Sequence, residues 1–114
     1  MNQLTDKKLT RLRHSQDFSN AMKHGRHARG KILKVVACPN NLGYSRVGYS
    51  VNKATGCAVT RNQIKRRLRA IIRDYAIKPG LDIVAIPSRK ASEASYKELE
   101  IDIKRSIDIL QLEL

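Results

Sequence analysis

Hydrophobic and polar positions alternate along this chain with two periods, and the switches between them mark out its elements. Between Ser15 and His24, Phe18, Ala21 and Met22 recur at helical spacing, with Ser15 placed as an N-cap and Gly25 as a stop. Lys31 to Cys38 (KILKVVAC) alternates with period two and ends at Pro39 and the turn-rich Asn40-Asn41-Leu42-Gly43. One face of that strand carries Leu33, Val35 and Ala37. The other carries Ile32, Lys34 and Val36, and its lysine marks it as the face expected to be exposed. Arg46 to Val51 reads as the hairpin partner, with Val47, Tyr49 and Val51 on one side. The small Gly48 and Ser50 lie on the other, where a ligand can approach the backbone closely.

Asn52 to Ala58 reads as a loop. Thr60 with Gln63 then has the form of a capping box, and Val59 with Ile64 that of a hydrophobic staple. These predict a helix running to about Ala76, ahead of Lys78-Pro79-Gly80. Leu81 to Pro87 (LDIVAIP) is apolar on both faces, as a central strand is. Ser95 with Glu98 forms a second capping box, and Leu99, Ile103, Ile107 and Leu110 follow at core spacing. The order helix, strand, strand, helix, strand, helix predicts a small two-layer α/β sandwich.

With 114 residues and 41% hydrophobic positions, one domain spanning residues 1–114 with a single core is expected. Charge changes the picture more. Lys and Arg number 23 against 10 Asp and Glu, a net +13 that points to a polyanionic partner. The excess is +6 over residues 1–31, +3 over 32–60 and +6 over 61–79, whereas 80–114 carry −2. From Phe18 to Arg73 there is no Asp or Glu at all. Metal-assisted phosphodiester cleavage needs carboxylates to hold Mg²⁺, so such a surface can bind RNA but is poorly equipped to cut it unaided. Two Cys exclude a disulfide scaffold, and His14, His24 and His27 lack the spacing of a zinc site, so no metal-binding residues are expected. No apolar run approaches the ~18 residues of a membrane span. The opening MNQLTDKKLTRLRH lacks a signal peptide's apolar stretch; residues 1–14 read as a basic, flexible arm, and the protein as cytoplasmic.

The most informative segment is Arg61-Asn62-Gln63-Ile64-Lys65-Arg66-Arg67-Leu68-Arg69-Ala70-Ile71-Ile72-Arg73. At about 100° per residue, Ile64, Leu68, Ile71, Ile72 and Tyr75 form one stripe, to be buried on the sheet. Arg61, Asn62, Lys65, Arg66, Arg69 and Arg73 fill an adjoining arc of about 140°, with Arg67 alone on the other flank. A solvated helix face interleaves Glu with Lys, whereas here only Asp74 answers six positive side chains. Self-repulsion of that kind costs stability, and phosphate contacts are the natural compensation.

The same segment, Arg61-Asn62-Gln63-Ile64-Lys65-Arg66-Arg67-Leu68-Arg69, resembles the signature of the bacterial ribonuclease P protein family. The likeness extends to Arg46-Val47-Gly48-Tyr49-Ser50-Val51-Asn52-Lys53, to Gln16-Asp17-Phe18 with Lys23-His24-Gly25, and to Leu81 through Pro87. The resemblance implies an auxiliary subunit that binds a catalytic RNA and the 5′ leader of precursor tRNA, catalysis and Mg²⁺ belonging to the RNA. It implies that Lys53, Arg61, Asn62, Lys65, Arg66, Arg69 and Arg73 face the RNA subunit. Phe18, Met22, Lys34, Val36 and Ser50 would line the leader cleft. It also implies a sheet of about four strands in the order α-β-β-β-α-β-α, with a left-handed crossover. The fourth strand is then expected near Asn52 to Ala58. Relatives often carry aromatic residues at the positions of Met22 and Val36 and a second Lys at that of Ala54. The free protein is expected to be monomeric. Two rival readings are a basic ribosomal protein and a self-sufficient nuclease; the signature helix opposes the first and the acid-free stretch the second.

Overall fold

The computed structural model describes residues 9–114. In chain order these form strand β1 (Thr10–Arg11), helix α1 (Ser15–His24), strands β2 (Arg26–Arg29), β3 (Leu33–Pro39) and β4 (Arg46–Tyr49), helix α2 (Ala58–Arg73), strand β5 (Leu81–Pro87) and helix α3 (Tyr96–Leu110). Single 3-10 turns lie at Lys53–Thr55 and Arg89–Ser92. The strands make one mixed sheet in the order β1-β4-β5-β3-β2. β3 pairs antiparallel with β2 and β5, while β4 runs parallel to β5 and β1. β5 thus occupies the middle of the sheet, as its two apolar faces require, and separates β3 from β4, which do not pair as the expected hairpin.

The two faces of the sheet are unlike. One buries Leu33, Val35, Ala37, Val47, Ile83 and Ala85 against Ile64, Leu68, Ile71 and Ile72 of α2 and Leu99, Ile103, Ile107 and Leu110 of α3. The other is covered by α1 alone, where Leu12, Ala21, Val36, Cys38 and Val84 form a smaller cluster with Phe18, Met22 and Ile86 packed on it. Burying one such side chain contributes roughly 1.5–3 kcal/mol. The α2–α3 face, with the larger cluster, therefore carries most of the hydrophobic stabilisation. The α1 face can then stay partly open.

Buried polar groups fix the joints. Asp102 of α3 accepts from the backbone N–H groups of Lys31, Ile32 and Leu33 at 3.1, 2.9 and 3.0 Å, pinning the turn between β2 and β3 to the helix. Gly30 lies so close to that carboxylate that a side chain there would collide with it. Arg46 of β4 donates to buried Asp82 of β5 at 2.8 and 2.6 Å and to Asp17 of α1 at 3.2 Å, tying the helix to two strands. Arg26 caps the far end of α3 by donating to the Leu110 carbonyl at 2.8 Å.

Several local expectations are revised. The sheet has five strands, not about four, and neither extra strand lies near Asn52 to Ala58, where the Asn52 side chain accepts from the Ala54 N–H at 2.8 Å and winds a 3-10 turn. β2 escapes notice because only Ala28 of its four residues is buried. His14, not Ser15, precedes the first turn of α1. α2 begins at Ala58 with Cys57 at the N-cap, so Thr60 sits inside the first turn and Val59 is 78% exposed, too far out to act as a staple. Gly56 lies just before the cap, and any side chain there would press on Thr60, which packs against the bare glycine. α2 ends at Arg73, short of Ala76. The capping box of Ser95 and Glu98 forms as expected. Of the basic arm expected over residues 1–14, residues 1–8 lie outside the described residues; Thr10–Arg11 pairs with β4, and Leu12 is buried. Among the described residues no helix is long and apolar enough to cross a membrane.

Candidate nucleic-acid interface

Helix α2 owes its orientation to its apolar stripe. Ile64, Leu68, Ile71 and Ile72 are all at most 4% exposed, and burying them fixes which way every other side chain of the helix points. Asn62, Arg66, Arg69 and Arg73 are exposed, and Arg61 and Lys65 are half-buried at the edge of the same arc. All six expected contact residues on α2 therefore share one flank. Arg67, on the other flank, is half-buried and donates to the Ala94 carbonyl at 3.4 Å, a structural contact. Arg61 steadies the entry to the helix by donating from Nε to the Gly56 carbonyl at 3.1 Å. Lys53, exposed in the 3-10 turn, stands between the end of β4 and the start of α2.

The first turn adds an anion-attracting feature, since its N–H groups lack helical partners. At its N-cap, the exposed Cys57 thiol lies 3.5 Å from the Thr60 hydroxyl. That hydrogen bond, with the backbone N–H groups of Thr60 and Val59, pulls the thiol below its ordinary pKa.

Across the sheet, under α1, lies a groove of about 500 Å³. Phe18 and Met22 of α1 form one wall, Val84 and Ile86 of β5 the floor, and Lys23, Lys34, Ser19 and Ser50 the polar rim. Four of the five residues expected in this cleft, Phe18, Met22, Lys34 and Ser50, come together there. The fifth, Val36, is 0% exposed and sits beneath α1, so it supports the wall without lining the groove. The face of β3 expected to be open is thus divided. Lys34 reaches the rim while Val36 and Cys38 are covered, because α1 packs over only one end of the strand. Gly48, expected to admit a ligand, instead admits Phe18: a side chain there would strike the aromatic ring and lie 3.1 Å from the Leu12 Cβ. Ser19, Lys23, Val84 and Ile86 went unrecognised in the sequence. Ile86 and Val84 could have been found from the register, since they pair with Lys34 and Val36 across the sheet.

Carboxylates near the groove are already engaged. Asp17 and Asp82 pair with Arg46, and that pairing, led by the Asp82 hydrogen bond, raises the guanidinium above its ordinary pKa. Among the described residues, no three His, Cys, Asp or Glu side chains are gathered so as to hold a metal ion. The arrangement suits binding of a charged, partly apolar polymer: an exposed row of cations on one side, an apolar groove with a lysine rim on the other.

Residues 7–111 match the sequence profile of the ribonuclease P family. The chain is 37% identical over 99 residues to the ribonuclease P protein component of Clostridioides difficile strain 630, an alignment covering 84% of this chain and 87% of that one. In three dimensions it is similar to the Staphylococcus aureus RNase P protein, with a TM-score of 0.83 and 26% identity over 94% of this chain and all of that one. It is also similar to the RNase P protein of Thermotoga maritima, with a TM-score of 0.75 and 32% identity over 89% of this chain and 94% of that one.

Proposed function

The chain belongs to the ribonuclease P protein family, and from that premise we propose that the cationic flank of α2 docks on the sugar-phosphate backbone of the enzyme's catalytic RNA while the groove beside α1 holds the 5′ leader of precursor tRNA. It is the protein subunit of a bacterial ribonucleoprotein endoribonuclease that acts in tRNA processing. In the proposed arrangement Arg61, Asn62, Lys65, Arg66, Arg69 and Arg73, with Lys53, face the RNA subunit. Phe18, Met22, Lys34 and Ser50 contact the leader, and Val36 backs the wall on which they stand.

The observation that carries this reading is the division of labour around the sheet. Arg and Lys on α2 meet no carboxylate of their own flank, so a phosphate backbone supplies the missing counter-charge. The groove offers an apolar floor and one aromatic ring, which suit unpaired bases, and its rim lysines meet the phosphates between them. Mg²⁺ would serve the holoenzyme from sites in the RNA. The carboxylates nearest the groove and the sheet are committed elsewhere, Asp17 and Asp82 to Arg46 and Asp102 to the backbone of the β2–β3 turn. The protein would act in the cytoplasm, as one domain and as a monomer before assembly.

The test is cleavage of precursor tRNA at low Mg²⁺ by the RNA subunit with and without this protein. Cleavage at the mature 5′ end should require the RNA and be strongly stimulated by the protein. Cleavage by RNA-free protein would return catalysis to the polypeptide and defeat the proposal. Copurification with ribosomal RNA instead of one RNA of a few hundred nucleotides would favour a ribosomal role.

A further inference from the structure

At the far end of α2 from its N-cap, three arginines from two distant segments converge on one tyrosine. Arg69 lies with its guanidinium carbon 5.6 Å from the centre of the Tyr49 ring. Arg73 follows one turn later, on the same flank and exposed. The third, Arg11, comes from β1. Its parallel pairing sets it opposite Val47, two residues before Tyr49 and hence on the same face of the sheet. Arg11 is also exposed, and among the described residues none of the three arginines makes an ion pair with Asp or Glu.

We infer that Arg11, Arg69 and Arg73 form a clamp on neighbouring backbone phosphates of the catalytic RNA, one contact each, with Tyr49 as the positioning residue that holds Arg69 in line. This rests on the docking of α2 proposed above and adds to it a strand residue and a platform.

Three considerations support it. Like charges gathered without an acidic partner repel one another, and packing places α2 and β1 without requiring arginine at these exposed positions: the burial falls to Ile64, Leu68, Ile71 and Ile72 of α2 and to Leu12 beside the two-residue edge strand β1. A guanidinium stacked on an aromatic face keeps its N–H edge free for an anion while losing the freedom it would otherwise surrender on binding. Lastly, burial pushes the Tyr49 phenol up to about 12, although the neighbouring Arg69, Arg11 and Arg73 pull the other way. The phenol therefore stays neutral and leaves all three positive charges for a ligand.

The experiment measures binding of the RNA subunit across 50–200 mM monovalent salt for the full-length protein and its variants. Arg66→Ala, on the same flank but outside the clamp, reports on the docking itself. Arg11→Ala should flatten the log–log salt slope by about 0.7–0.9, so its disadvantage against the parent shrinks about threefold over that range. Tyr49→Leu should weaken binding, add nothing further in an Arg69→Ala background, and be largely rescued by Tyr49→Phe, which keeps the ring. Thermal melts separate these effects from unfolding, and Arg11→Gln is a second variant for the same position. If Arg66→Ala flattens the slope while Arg11→Ala and Arg11→Gln leave it at the parental value, docking stands and the clamp is overturned. Additive losses from Tyr49→Leu and Arg69→Ala would overturn the positioning role. An unchanged slope for Arg66→Ala would remove the docking, and the clamp with it.

Discussion

Helix α2 and the groove beside α1 sit on opposite faces of the sheet and solve RNA recognition differently. On α2 the apolar stripe is wholly buried, and the outward flank carries Arg, Lys and Asn with no carboxylate among them. Beside α1 the apolar residues themselves are on offer: Phe18, Met22 and Ile86 line the groove over buried Val84, and the charge is confined to its rim. Acidic residues do occur there, yet Asp17 and Asp82 are both held by Arg46. One region presents charge on a well-anchored rod. The other presents a half-finished core. Binding at the first should follow salt and little else, while binding at the second should follow unpaired bases and survive salt better.

The largest effect should come from Asp82→Ala, which attacks the joint beneath the groove and leaves α2 alone. Asp82 is 5% exposed, and its loss leaves the Arg46 guanidinium with Asp17 as its remaining carboxylate. Breaking a buried pair costs about 3–5 kcal/mol, and the surviving Asp17 contact puts this one at the low end of that range. A chemical denaturation midpoint well below the parent's, with precursor binding lost before RNA-subunit binding, would sharpen the contrast. Equal loss of both would mean that the two surfaces share one structural support.

Phe18→Ala comes next. Base stacking on an aromatic ring contributes about 1–3 kcal/mol. Affinity for precursor tRNA should fall by that order in the holoenzyme while affinity for mature tRNA, which has no leader, stays put. The salt slope should be unaltered. Matching losses for the two tRNAs would assign Phe18 to packing over Gly48 alone.

Smaller changes are expected from single arginines on α2. Arg66→Ala and Arg69→Ala should each flatten the salt dependence of assembly by about 0.7–0.9. Neither should change leader discrimination. If either did, the two regions would be parts of one continuous surface.

The contrast also explains what the sequence could reveal. The α2 flank was legible residue by residue, because a helix determines its own faces: once Ile64, Leu68, Ile71 and Ile72 are placed inside, Arg66 and Arg69 have nowhere to go but out. The groove was legible in part. Phe18, Met22, Lys34 and Ser50 come from three separate elements, and alternation along β3 alone could not show that α1 would cover Val36 and leave Lys34 at the rim. Strand β2 was hidden by its charge, since Arg26, His27 and Arg29 stay exposed on an edge strand. β1 was too short to announce itself. What long-range pairing decides, local periodicity cannot carry, and that is why Arg11 became visible only beside Tyr49.

The mildest probe uses Cys57, which stands at the N-cap of α2 on the charged side of the comparison. The exposed thiol has a lowered pKa, chiefly through the Thr60 hydroxyl. Since the thiolate is the reactive form, its alkylation rate should rise and level off at lower pH than that of an ordinary exposed thiol. Buried Cys38 should remain inert. Replacing Thr60 by Val should move the Cys57 profile upward in pH with little change in folding, because the hydroxyl's contribution is lost while the helix N–H groups remain. RNA-subunit binding should slow alkylation of Cys57 in the parent, by shielding the thiol and by bringing phosphate charge that disfavours the thiolate. A leader-bearing oligonucleotide alone, which occupies only the groove, should leave the rate as it was. Protection by the oligonucleotide and not by the RNA subunit would exchange the roles of the two surfaces.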